Sequence, residues 1–124
     1  MNATDQTPPR IESLMTGDTP PVDLVTIRAT VTRALLERPV LPRAEEVRAL
    51  TVDLRAHLAV MADETEARRD ACARSTGDWH QWNALLNRAR TDMQSDAGPG
   101  LKSAVMHMYE LGRTCSHLVD KLAE

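Results

Sequence analysis

Apolar side chains recur every three to four positions over four stretches of this chain, with polar or helix-breaking residues between them. Leu24, Ile27, Val31 and Leu35 form the first series. Val47, Leu50, Leu54, His57 and Met61 form the second. Trp79, Trp82, Leu86, Ala89 and Met93 form the third, and Leu101, Ala104, Met108, Leu111, Cys115, Leu118 and Leu122 the fourth. Each spacing places its series on one face of an α-helix. No stretch alternates with the two-residue period of a strand. Asp18-Thr19-Pro20-Pro21 reads as the start of helix one, a capping residue followed by proline. Pro39 and Pro42 end it near Arg38. Pro42 opens helix two, with Glu45 and Glu46 in the first turn, where the helix dipole favours acid. Helix two is expected to run about 30 residues, roughly 45 Å. The pattern weakens after Met61, which makes a break near Asp63 an option. Ser75-Thr76-Gly77-Asp78 is the turn and cap of helix three, and Ala97-Gly98-Pro99-Gly100 ends it. Helix four is expected from about Leu101 to Ala123. Short connections between amphipathic helices predict an all-α fold, an antiparallel four-helix bundle over residues 19–124. Residues 1–18 are mostly polar, with one proline pair and no large apolar side chains beyond Met1, Ile11, Leu14 and Met15. They are expected to form a flexible or loosely docked tail, with a lid over a pocket as the functional alternative.

Composition narrows the function. The chain has 124 residues, one domain's worth, with 15 basic and 18 acidic side chains and a net charge of −3. That balance argues against a nucleic-acid partner, which needs a clustered basic surface. Two tryptophans, one tyrosine and no phenylalanine leave Leu, Val, Met and Ala to build the core. No apolar run is long enough to span a bilayer, and Met1–Thr7 lacks a signal-peptide hydrophobic region, so a cytoplasmic protein without a membrane partner is expected. Cys72 and Cys115 read as small hydrophobes in or near the core. No cofactor is expected. Gly98-Pro99-Gly100 follows a helix rather than a strand, and His107-x-x-Glu110 occurs once, in the reverse order to the Glu-x-x-His pair of a di-iron bundle.

The candidate chemistry centres on His57, the only histidine in any of the four series. Partial desolvation there would favour a neutral imidazole able to take a proton from a carbon or oxygen acid. The alternative is a core histidine bonded to a backbone carbonyl or a neighbouring carboxylate. Trp79 and Trp82, one turn apart, either line a flat apolar pocket that stacks on an unsaturated ligand or plug the end of the bundle. Met61, Met93, Met106 and Met108 read as an adaptable cavity wall or as core. His107, Tyr109 and Glu110 point in different directions, so at most two face one site. His80 and His117 fall on the surface by helical phase.

The runs Leu54-Arg55-Ala56-His57-Leu58, Asn87-Arg88-Ala89-Arg90, Gly98-Pro99-Gly100-Leu101 and Leu111-Gly112-Arg113 together resemble a family of small actinobacterial proteins. These carry a domain of unknown function and are catalogued as natural product biosynthesis proteins. The resemblance spans roughly Pro42 to Leu122. At least one similar small all-helical protein closes a polyketide macrocycle by intramolecular Michael addition, so the resemblance implies a cofactor-free cyclase acting on a long unsaturated polyketide-like substrate. Combined with the residue reading, His57 is then the base and Tyr109 a donor to the enolate oxygen. Trp79, Trp82, Met61 and Met108 hold the chain. The alternative is a non-catalytic interaction or regulatory module, with a homodimer as one form of it.

Overall fold

A computed structural model describes residues 22–124. It contains four helices, α1 Leu24–Leu35, α2 Ala44–Asp70, α3 Gly77–Gln94 and α4 Leu101–Ala123, and no strand among the described residues. The expected tail and the Asp18–Pro21 cap lie outside the described residues. The cap seen on α1 is Asp23, whose carboxylate accepts the Thr26 amide at 3.1 Å and the Thr26 hydroxyl at 2.7 Å. The hydroxyl bond first, and the amide bond with it, hold the Asp23 carboxyl below its ordinary range. The first helix stops at Leu35, short of the expected Arg38. Arg38 instead folds back and donates to the Arg33 and Leu36 carbonyls at 2.8 and 3.1 Å, partnering acceptors that a helix end leaves open.

Helix α2 starts two residues after Pro42 and runs 27 residues without a break at Asp63, about 40 Å. A Glu64–Arg68 pair at 3.0 Å supports the charged part. Thr76 caps α3, as the sequence predicts, by accepting the Trp79 amide at 3.2 Å. Helix α4 occupies the expected span, and Gly100 precedes it at φ 90°, a conformation that favours glycine.

Cross-helix bonds fix the topology. Thr30 meets His57, Arg69 meets Asn83, Asp92 meets Thr114, and Arg28 meets Asp120. Chain neighbours are therefore antiparallel, and α1 packs antiparallel on α4. Helices α2 and α4 run parallel and touch across the diagonal, whereas α1 and α3 do not meet. Leu54, Leu58, Met61, Leu86, Met108, Leu111 and Leu118 are fully buried between the helices. No helix is long and apolar enough to cross a membrane.

Two expectations about histidine are overturned. The buried row of α2 is Val47, Leu50, Leu54, Leu58 and Met61, and His57 flanks it half-exposed. At about 100° per residue, position 58 falls about 20° from Val47 around the axis, while position 57 falls about 80° away. On α4, His107 is only 6% exposed. That helix packs against all three others, so its buried arc is wider than one seam and takes in His107 and Thr114.

Candidate functional site

The polar groups near the core build up the site. His57 Nε2 lies 3.1 Å from the Thr30 hydroxyl, which is itself 3.3 Å from the Thr26 carbonyl. If the hydroxyl donates to Thr26, it accepts from the ring; the pair then ties α2 to α1. This is a histidine satisfied by a neighbouring helix, although through a threonine rather than the expected carbonyl or carboxylate.

The tryptophans sit at the opposite end of α2 from its start. Arg68 and Lys121 lie over the Trp82 ring at 5.6 and 5.3 Å, and Arg69 and Arg74 over Trp79 at 5.5 and 5.0 Å. Both indoles are half-buried under cations, the arrangement of a bundle plug. Arg68 lies 11 residues beyond His57, roughly 17 Å along the axis, so the structure does not bring His57 and the tryptophans together. Met61 and Met108 have no exposed surface and belong to the core. Tyr109 is half-buried against that core.

A cleft of about 360 Å³ opens between the first halves of α2 and α4, within the usual range for a small-molecule site. Val47, Val52, Leu101 and Ala104 give it apolar walls, and Arg48, Thr51, Arg55 and His107 supply the polar groups. Arg55 crosses from α2 to the α3–α4 connection. Its Nη1 donates to the Met93 carbonyl at 2.9 Å and its Nη2 to the Ser95 carbonyl at 2.6 Å. Nη2 is also 3.0 Å from His107 Nε2. A guanidinium has no acceptor, so His107 Nε2 accepts, and the neutral ring carries its proton on Nδ1. Asp96, itself exposed, lies 3.6 Å from Arg55. A second cleft of about 350 Å³, lined by Asp96, Lys102, Ser103 and Glu110, shares Ala97 and His107 with the first. His57, Trp79, Trp82, Met61, Tyr109 and Met108 line neither.

Both cysteines are free. The Cys115 thiol, 3.7 Å from the Leu54 carbonyl, is pushed up to about 12, chiefly by burial and secondarily by the Asp92 carboxylate. No group of three or more His, Cys, Asp or Glu side chains among the described residues is placed to hold a metal.

The model of DUF6415, a family of unknown function, matches residues 25–124. The chain belongs to that family. The match takes in all but the first residue of the DUF6415 bundle and both clefts. No curated protein and no solved structure matches the chain. Arg55, which lines the first cleft, and its bond to His107, which lines both clefts of this DUF6415 protein, have no counterpart among the sequence-based candidates. Arg55 follows the buried Leu54 by one residue, where a long side chain can leave the core edge. His107 lies three residues after Ala104 and four before Leu111, a spacing that did signal an inward position.

Proposed function

We propose that this DUF6415 protein is a cofactor-free cyclase of natural product biosynthesis that takes an elongated, carbonyl-bearing polyketide-like substrate in the α2–α4 cleft. The observation that carries the reading is the cleft itself: apolar walls around a few convergent donors, Arg48, Thr51 and His107. The reaction is an intramolecular Michael-type addition. A carbon between two carbonyls loses its proton to solvent, the resulting enolate attacks the β-carbon of an enone, and the α-carbon takes up a proton from solvent. One C–C bond forms, nothing is oxidised, and the product is an isomer of the substrate. An acidic carbon of this kind ionises readily, so the protein's part is to fold the chain into an attacking shape and stabilise the enolate oxygen. The Thr51 hydroxyl and the His107 Nδ1–H are the donors to that oxygen, in place of Tyr109. His57 keeps the structural role that its bond to Thr30 supports.

The test uses a linear substrate mimic with a β-keto ester at one end and an enone at the other. The protein is expected to convert it to a product of equal mass without enone absorbance. Val52→Trp, at a wall position that is 60% exposed, is expected to block the reaction while leaving the circular dichroism spectrum unchanged. Undiminished turnover in that variant removes the cleft from the reaction.

A second reading, a non-catalytic interaction module, is favoured by Leu36, Val40 and Leu41, which leave large apolar side chains exposed around the α1–α2 connection. Light scattering that shows a dimer in wild type and a monomer in Val40→Glu would support it.

A further inference from the structure

The charged side chains that line the α2–α4 cleft are of one sign. The chain as a whole is net acidic, yet no Asp or Glu lines this cleft, and its two charged groups are both arginines. Arg55 is already engaged by two carbonyls, His107 and Asp96. Arg48 is not. The other three arginines of α2 each have a carboxylate within 4 Å: Arg55 has Asp96, Arg68 has Glu64, and Arg69 has Glu66 and Asp70. Arg48 has none among the described residues, although Glu45 stands one turn before it. Arg48 is an exposed member of the lining of an apolar cleft whose other polar groups, Thr51 and His107, bring no negative charge to oppose an anion. The setting adds to this. Parallel helices α2 and α4 both begin at the cleft, at Ala44 and Leu101, and neither has a side-chain cap, whereas α1 and α3 are capped by Asp23 and Thr76. The first turn of α2 carries Glu45 and Glu46, whereas that of α4 carries no acid, so the positive end of α4 and Arg48 act on the same space.

The geometry points to a carboxylate anchor at Arg48: the cleft takes an apolar chain ending in a carboxylate, with the carboxylate paired to the Arg48 guanidinium and the chain laid along Val47, Val52, Leu101 and Ala104. A planar guanidinium meets a carboxylate with two parallel hydrogen bonds, which fixes the end of the chain as well as holding it. The inference rests on the reading of this cleft as a ligand site and narrows its substrate class to monocarboxylates.

Octanoate and 1-octanol, equal in chain length and different in charge, test it by calorimetry and amide NMR on the full chain. Octanoate is expected to bind at least tenfold tighter than octanol, with both shifting amides of residues 44–55 and 100–107. Arg48→Gln, at an exposed position, is expected to reduce octanoate to the affinity of octanol and leave octanol within twofold. Equal affinities in wild type, or equal weakening of both by Arg48→Gln, overturn the carboxylate anchor and leave the cleft standing as a ligand site. Octyl phosphate binding tenfold tighter than octanoate overturns the carboxylate in favour of a phosphate. Failure of both eight-carbon ligands to bind in the cleft overturns the ligand-site reading, and the anchor with it.

Discussion

At the scale of single residues, the buried polar groups separate by whether they have a partner. Thr114 donates to Asp92, and Thr30 serves both Thr26 and His57. Thr65 has no exposed surface, and its hydroxyl has no hydrogen-bond partner. An unpaired buried hydroxyl costs about 1–3 kcal/mol, and valine has the same shape without it. Thr65→Val is therefore expected to raise stability by about 1 kcal/mol in urea denaturation; a loss would mean that the hydroxyl has a water partner. Cys115 gives a pH dependence. Its thiol ionises near 9.0 ordinarily and near 12 in the fold. Between those values the unfolded chain has lost a proton that the folded chain keeps. The stability it contributes is present below about pH 9 and is lost as pH rises towards 12, at up to about 1.4 kcal/mol per pH unit. Denaturation midpoints from pH 8 to 10 should fall more steeply in wild type than in Cys115→Ala. At pH 8 the native protein should react with a thiol reagent at Cys72 and not at Cys115.

At the scale of elements, Gly112 of α4 packs directly against Ala34 and Leu35 of α1. A Cβ there would lie 2.9 Å from Leu35 Cδ2 and 3.6 Å from Ala34 Cβ. Leu35 is half-exposed and its methyl end can turn aside, while alanine gains about 1 kcal/mol of helix propensity over glycine. Gly112→Ala is expected to change stability by less than about 1 kcal/mol. Gly112→Val, which adds bulk in two further directions, should cost about 1–3 kcal/mol, and thermal melts of the pair check this. The elements themselves were legible in the sequence because their boundaries are chemical: Pro42 before α2, Thr76 before α3, and Gly98-Pro99-Gly100 between α3 and α4. The Asp18–Pro21 cap lies outside the described residues, and the cap that the structure shows on α1 is Asp23, three positions before Thr26. The facing of side chains was harder to read. A three-four step from Leu54 permits either His57 or Leu58 to point inward, and the choice depends on the drift of the whole helix. The importance of Arg55 and His107 depends on helices 52 positions apart in sequence meeting, and no local period reports that.

At the scale of the whole molecule, the two ends of the bundle do different work, and the tryptophans decide whether that division is real. Sequence spacing left Trp79 and Trp82 either holding a substrate or plugging an end. In the structure they close the end formed by the last turns of α2 and α4 and the first turn of α3. The ligand-sized cleft opens towards the other end, between the starts of α2 and α4. Arg68 lies 20 residues beyond Arg48, roughly 30 Å along α2. A contact at one end therefore has no direct reach to a ligand at the other. Trp82 packs against the core with Arg68 and Lys121 over its face. Removing a half-buried indole takes away apolar contact and two cation–π contacts together, so Trp82→Ala should lower stability by about 2–3 kcal/mol. Octanoate affinity, measured by calorimetry at a temperature where the variant is fully folded, should stay within twofold of wild type. Arg48→Gln should do the reverse, weakening octanoate while moving the denaturation midpoint little. If Trp82→Ala weakens the ligand as strongly as Arg48→Gln does, the two ends are not independent, and the tryptophans belong to the substrate path after all.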